Sequence, residues 1–108
     1  MTNKINNRQQ FLNFLGIAQG AGKIISGEGT LRRKIKADQI GFLIIASDAG
    51  AATSKKFHDK VRSHRIPFND QFSKNELSHA IGKYRTIIGL QDRGFVNHLI
   101  ELNQKIKG

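Results

Sequence analysis

Two apolar runs of strand length, Phe42-Leu43-Ile44-Ile45-Ala46 and Thr86 to Leu90, constrain the fold of this chain most. Neither alternates with polar residues, so neither suits a sheet with one wet face. A continuous run such as Phe42 to Ala46 suits a strand buried on both faces, with helices above and below it. The surrounding pattern supplies those helices. Phe11, Phe14, Leu15 and Ala18 recur at helical spacing and predict a first helix from about Asn7 to Gln19, ended by Gly20-Ala21-Gly22. Lys23 to Ser26 reads as a short strand carrying Ile24 and Ile25. In the basic segment that follows, Leu31 and Ile35 lie one turn apart and face inward.

Beyond the first run, Ser47-Asp48-Ala49-Gly50 breaks the strand, and Thr53 or Ser54 can cap a third helix reaching about His64. Ile66-Pro67-Phe68 resembles a short strand, with Pro67 at an edge or strand start. Ser73 and Glu76 have the spacing of a capping box for a fourth helix ending near Gly82. Gln91-Asp92-Arg93-Gly94 turns into a last helix, with Phe95, Leu99, Leu102 and Ile106 on its apolar face. Helices alternating with four short strands predict an α/β fold, a three-layer α/β/α sandwich with a four-stranded mixed central sheet. At 108 residues the chain has room for one core, so residues 1–108 read as a single domain.

Charge narrows the partners. Eighteen Lys and Arg stand against eight Asp and Glu, a formal net charge of +10. That excess attracts polyanions, nucleic acid foremost. A membrane is the weaker alternative, because no run approaches the roughly 20 apolar residues of a spanning helix. Met1 to Gln10 is polar and lacks the apolar stretch of an export signal, which makes the cytoplasm the expected location. The chain has no cysteine, so disulfides and thiolate metal sites are excluded.

The charge is densest in Gly27-Glu28-Gly29-Thr30-Leu31-Arg32-Arg33-Lys34-Ile35-Lys36. Glycines before a helix let its N-terminus come close to a partner. The amides exposed there favour anionic groups. Arg32, Arg33, Lys34 and Lys36 then supply long-range attraction. Gly82-Lys83-Tyr84-Arg85-Thr86 is a second candidate: cations around the only tyrosine can grip phosphates and stack a base. The same residues also suit a solvated connection whose tyrosine covers the core edge.

Other motifs fail on inspection. Gly20-Ala21-Gly22-Lys23 evokes a phosphate-binding loop, but Ile17 holds the first glycine position and Ile24 the magnesium-binding one. Gly27-Glu28-Gly29 begins like a dinucleotide fingerprint, yet Arg32 replaces the third glycine. His58, His64, His79 and His98 form no close pair of zinc ligands, and no metal is expected. His98 reads as a partly buried edge residue. His58 and Asp59 are neighbours on a helix and point apart. Asp48 ends the central strand where open α/β sheets place ligands; it either acts there or ties down a loop.

Taken in order, these segments resemble the kink-turn-binding ribosomal protein family, in its short bacterial YlxQ-like branch. The resemblance spans about Leu15 to Leu99. It rests on Leu15-Gly16-Ile17-Ala18 with Ala21-Gly22-Lys23, Ile25-Ser26-Gly27-Glu28, Leu43 to Ala49, and Ile66-Pro67-Phe68. Ser73-Lys74-Asn75-Glu76-Leu77, Ala80-Ile81-Gly82-Lys83 and Asp92-Arg93-Gly94-Phe95 complete it. It implies the three-layer fold and noncatalytic binding of sharply bent RNA, with no cofactor. Family members read guanine edges with Asn and Glu before the second helix and place Lys one turn later. Here Gly27 matches the family glycine, Gly29 and Thr30 occupy the Asn and Glu positions, and Arg33 occupies the Lys position. The resemblance also implies that Lys74 contacts RNA backbone and that Lys83, Tyr84 and Arg85 form the second contact loop.

Together these readings predict a monomeric, noncatalytic binder of structured, ribosomal RNA. Its expected site is Gly27, Glu28, Gly29, Thr30, Arg32, Arg33, Lys34, Lys36, Lys74, Lys83, Tyr84 and Arg85. The alternatives are a module docking an acidic ribosomal, translation or transcription protein, and the RNA-recognition part of a modifying enzyme.

Overall fold

The computed structural model describes residues 6–107. Among these, five helices alternate with four strands: α1 (Asn7–Gly20), β1 (Ile24–Ser26), α2 (Glu28–Lys36), β2 (Phe42–Ile45), α3 (Ala51–His64), β3 (Phe68–Asn69), α4 (Lys74–Ile81), β4 (Ile87–Leu90) and α5 (Arg93–Lys107). The sheet order is β1-β4-β2-β3. β4 pairs antiparallel with β1 and with β2, while β2 and β3 run parallel. The expected α/β/α sandwich with a four-stranded mixed sheet is therefore what forms.

The two apolar runs are buried on both faces because side chains alternate across a strand. Phe42, Ile44, Ile88 and Leu90 pack with α1, α4 and α5. Leu43, Ile45 and Ile87 pack on the other side with Leu31 and Ile35 of α2 and Phe57 and Val61 of α3. Burying each large aliphatic side chain contributes about 1.5–3 kcal/mol. Phe11 joins the layers on the first side, stacking on Phe72 at 5.2 Å and tilting against Phe42 at 6.1 Å.

Gly89 sits where Leu31 presses onto the sheet. A Cβ at Gly89 would stand 2.5 Å from Leu31 Cδ2 and 3.2 Å from Ile40 Cδ1, both on buried residues. α2 thus lies as close to the sheet as it does because β4 has no side chain at this point.

Boundaries differ from the sequence reading in particular places. α3 starts at Ala51 with Gly50 as its cap residue, so Thr53 and Ser54 lie inside its first turn. Two alanines favour early helix, and the Gly50 carbonyl already accepts from the Ser54 amide at 2.9 Å. The freed Thr53 hydroxyl donates to Glu28 Oε2 at 3.3 Å. β3 is confined to Phe68–Asn69, because the Ile66 amide is still bonded to the Val61 carbonyl at the end of α3. His98 is exposed rather than partly buried, its ring edge-on to Phe14 at 4.5 Å.

The capping box of α4 is complete. Ser73 Oγ accepts from the Glu76 amide at 3.1 Å, and Glu76 Oε1 accepts from the Ser73 amide at 2.9 Å. Arg8 closes it from α1, its Nη2 2.9 Å from Glu76 Oε2 and its guanidinium 4.4 Å from the centre of the Phe72 ring. The Ser73 amide, then Arg8, hold the Glu76 carboxyl below its ordinary value of 4.5. No described helix is long and apolar enough to cross a membrane.

Two outcomes follow from this packing. Gly89→Ala is expected to destabilise the protein by about 1–3 kcal/mol through overpacking, read as a lower urea midpoint. Glu76→Gln should be less stable than the parent at neutral pH. A carboxylate with a depressed folded-state pKa stabilises above its unfolded value and loses that effect as pH falls through the folded value. The gap between the two proteins should therefore narrow below pH 4.5 in acid-dependent melting curves.

Candidate nucleic-acid interface

Strand pairing brings distant segments to one edge. β1 ends at Ser26, opposite Ile88, and β4 begins at Ile87, opposite the last residue of β2, Ile45. The turn after β1, the loop after β2 and the loop before β4 consequently emerge side by side. Arg85 bridges two of them: its Nε donates to Ser26 Oγ at 3.0 Å and its Nη1 to the Tyr84 carbonyl at 2.7 Å. The Arg85 amide also reaches Ser78 Oγ of α4 at 3.3 Å. An open cleft of about 190 Å³ lies between Gly27 and Glu28 on one side and Tyr84, Arg85 and Thr86 on the other.

Gly27 takes φ 96°, a left-handed conformation that favours glycine, and no side chain caps α2. The first turn closes through the Leu31 amide on the Gly27 carbonyl at 2.9 Å. Over that turn two guanidinium groups gather. A Cβ at Gly29 would stand 3.6 Å from Arg33 Nη1 and 3.9 Å from Arg32 Nη2. Arg33 Nη2 also donates to Thr30 Oγ1 at 3.4 Å. Neither arginine has an ion-pair partner among the described residues. Positive charge, a helix N-terminus and a glycine surface thus coincide, an arrangement that favours anions.

Tyr84 is 63% exposed, so its ring does not cover the core. Lys83 beside it is exposed as well. The ring can stack against a planar group, and the hydroxyl can still reach a polar one. Lys74 starts α4 at the same edge, its amide bonded to Asp48 Oδ1 at 2.8 Å. Asp48 therefore ties the loop after β2 to α4. Glu28 faces α3, its Oε1 3.5 Å from Lys56 Nζ.

Not every candidate joins this face. Lys34 Nζ lies 3.3 Å from Gln91 Oε1, just past the far end of β4. Lys36 closes the last turn of α2 and lines a groove with Lys60 and His64 of α3. The α3 residues of this groove lie outside the site expected from the sequence. Lys56, Lys60 and His64 recur every fourth position and mark one helix face, a signal that was present. Lys23 is not part of a phosphate loop; it pairs with Asp92 at 3.3 Å. His58 turns from Asp59 to Asp70, 2.9 Å away.

The fold and this edge define a small three-layer α/β/α domain with Arg32 and Arg33 gathered over the first turn of α2. The chain belongs to the YlxQ family. It is 36% identical to "RNA-binding protein YlxQ" of Enterococcus faecium over 96 residues, covering 89% of this chain and 93% of that one. Identity to the protein of the same name from Bacillus subtilis (strain 168) is 32% over 94 residues, 86% of this chain and 94% of the relative. Among solved structures, a Bacillus halodurans protein of unknown function matches with a TM-score of 0.81 and 35% identity, over 88% of this chain and 97% of that chain. The 15.5kD RNA binding protein of Giardia lamblia shares the fold with a TM-score of 0.74 at 15% identity, over 97% of this chain and 91% of that one. No family model matches the chain.

Because Asp48 satisfies the first amide of α4, Asp48→Ala should cost about 0.5–2 kcal/mol, the range for lost helix-end acceptors. Chemical denaturation checks this, and hydrogen exchange should quicken at Lys74 and its neighbours.

Proposed function

We propose that this chain is a noncatalytic RNA-binding protein acting in the cytoplasm on bent, structured RNA, with ribosomal RNA the leading target. One observation carries the reading: the uncapped glycine turn of α2 and the Tyr84 loop share one edge, braced by Arg85 on Ser26. The names of the two curated relatives, RNA-binding proteins both, support it. In this reading Gly27, Gly29 and Thr30 admit the RNA to the first turn of α2. Arg32 and Arg33 neutralise phosphates, with Lys74 and Lys83 beside them. Tyr84 stacks on an unpaired base, and Arg85 holds the loop that presents it.

Discrimination among RNAs then rests on contour more than on base edges. Phosphate contacts position a complex, while base contacts specify its sequence. Gly29 has no side chain to read a base, and the Thr30 hydroxyl already accepts from Arg33. We therefore propose a kink-turn-shaped target bound with relaxed base preference.

A gel shift comparing a kink-turn RNA, the same RNA with its sheared pairs replaced, and a plain duplex tests the proposal. The kink-turn RNA should bind more tightly than the duplex and more tightly than the RNA whose sheared pairs, and with them its fixed bend, have been replaced. Neutralising four phosphates gives a log-log salt slope of roughly −3 to −4. Arg33→Ala should weaken binding and lower that slope by about 1. An affinity indifferent to salt would overturn the assignment.

A further inference from the structure

The basic surface does not stop at the first turn of α2. A groove of about 350 Å³ runs along α2 and α3, lined by Gly29, Arg32, Arg33, Lys36, Lys60 and His64, with Ile35 at its floor. Gly29 belongs both to this groove and to the turn described above. From Gly29 to Lys36 the helix rises roughly 10 Å. Among the described residues lining the groove there is no carboxylate. Two of the acids nearby are occupied elsewhere: Glu28 pairs with Lys56 outside the lining, and Asp59 with Lys55 and Arg62. Asp38 meets His64 Nδ1 at 3.2 Å and is itself 80% exposed.

We infer that this groove is a second RNA site, which grips the sugar-phosphate backbone of a double-stranded stem flanking the bent segment. The inference rests on the proposed RNA-binding function and extends its footprint onto α3. A stem is the occupant favoured by the geometry. The cations form an extended track over an aliphatic residue, with no Phe, Tyr or Trp in the lining and with the one aromatic ring, His64, part-buried and bonded to Asp38, so the track suits repeated phosphates more than splayed bases. Lys60 reaches the track from α3, and Lys36 reaches it from α2. With the bend seated at Gly27 to Thr30, a stem leaving along α2 passes both.

The test measures affinity for three probes: a kink-turn RNA with two long flanking stems, and two versions of it with one stem or the other cut back. The double variant Lys36→Ala, Lys60→Ala should bind the long-stem RNA about three- to tenfold more weakly, with a salt slope shallower by roughly 1 to 2. Its affinity for the RNA lacking the stem that reaches the groove should match the parent's, which also shows that the variant is folded. Lys105→Ala, on the α5 layer, should leave all three affinities unchanged. If Arg33→Ala weakens binding while the double variant behaves as the parent on every probe, the groove site is refuted and the RNA-binding reading stands. If no RNA binds and Arg33→Ala changes nothing, both fall. An equal loss on long and short stems would also sink the inference, since it would show general charge attraction only.

Discussion

The antiparallel pairing of β4 with both β1 and β2 governs this molecule. It places the start of β4 beside the ends of its two neighbours, so three connections meet at one edge. It also puts an interior strand where both faces must be covered, which fixes helices on two sides. Gly89 then lets Leu31 seat α2 close to the sheet. The depth at which the basic helix sits is therefore a result of core packing, with Glu28 to Lys56 and Lys34 to Gln91 as polar contacts at its two ends.

That edge is partly preorganised. Arg85 donates to Ser26, Ser78 contacts the Arg85 amide, and Asp48 anchors α4. The Ser26 and Ser78 bonds to Arg85 order the Tyr84 loop in advance, so the proposed ligand does not have to supply that ordering energy. Arg32 and Arg33, by contrast, are long side chains over an open glycine surface. They are free to adjust, which suits recognition by charge and contour.

Much of this was legible in the chain. Two unbroken apolar runs implied a sheet covered twice, Ser73 and Glu76 announced their capping box, and Leu31 with Ile35 set the inward face of α2. What stayed hidden depends on tertiary contact. Asn69 and Asn103 form a buried bond of 2.8 Å, with Asn103 also donating to the Phe68 carbonyl at 3.1 Å. No local pattern pairs residues of a short strand and a distant helix. α3 starts earlier than the cap-like Thr53 and Ser54 suggest, because the Gly50 carbonyl opens the helix without a side chain. For the site, charge density identified α2, but only the fold separates Lys34 from its neighbours and adds Lys60 to them.

Lys34 has a further consequence. Its ammonium lies beside Gln91, away from the clustered arginines, yet it remains part of the +10 excess. The electric field of the protein is thus broader than the proposed docking face. A polyanion arriving at low ionic strength would be captured in several orientations and would have to reorient before settling. Capture and correct seating are then separate kinetic events, the first hastened by every cation on the surface and the second by a handful.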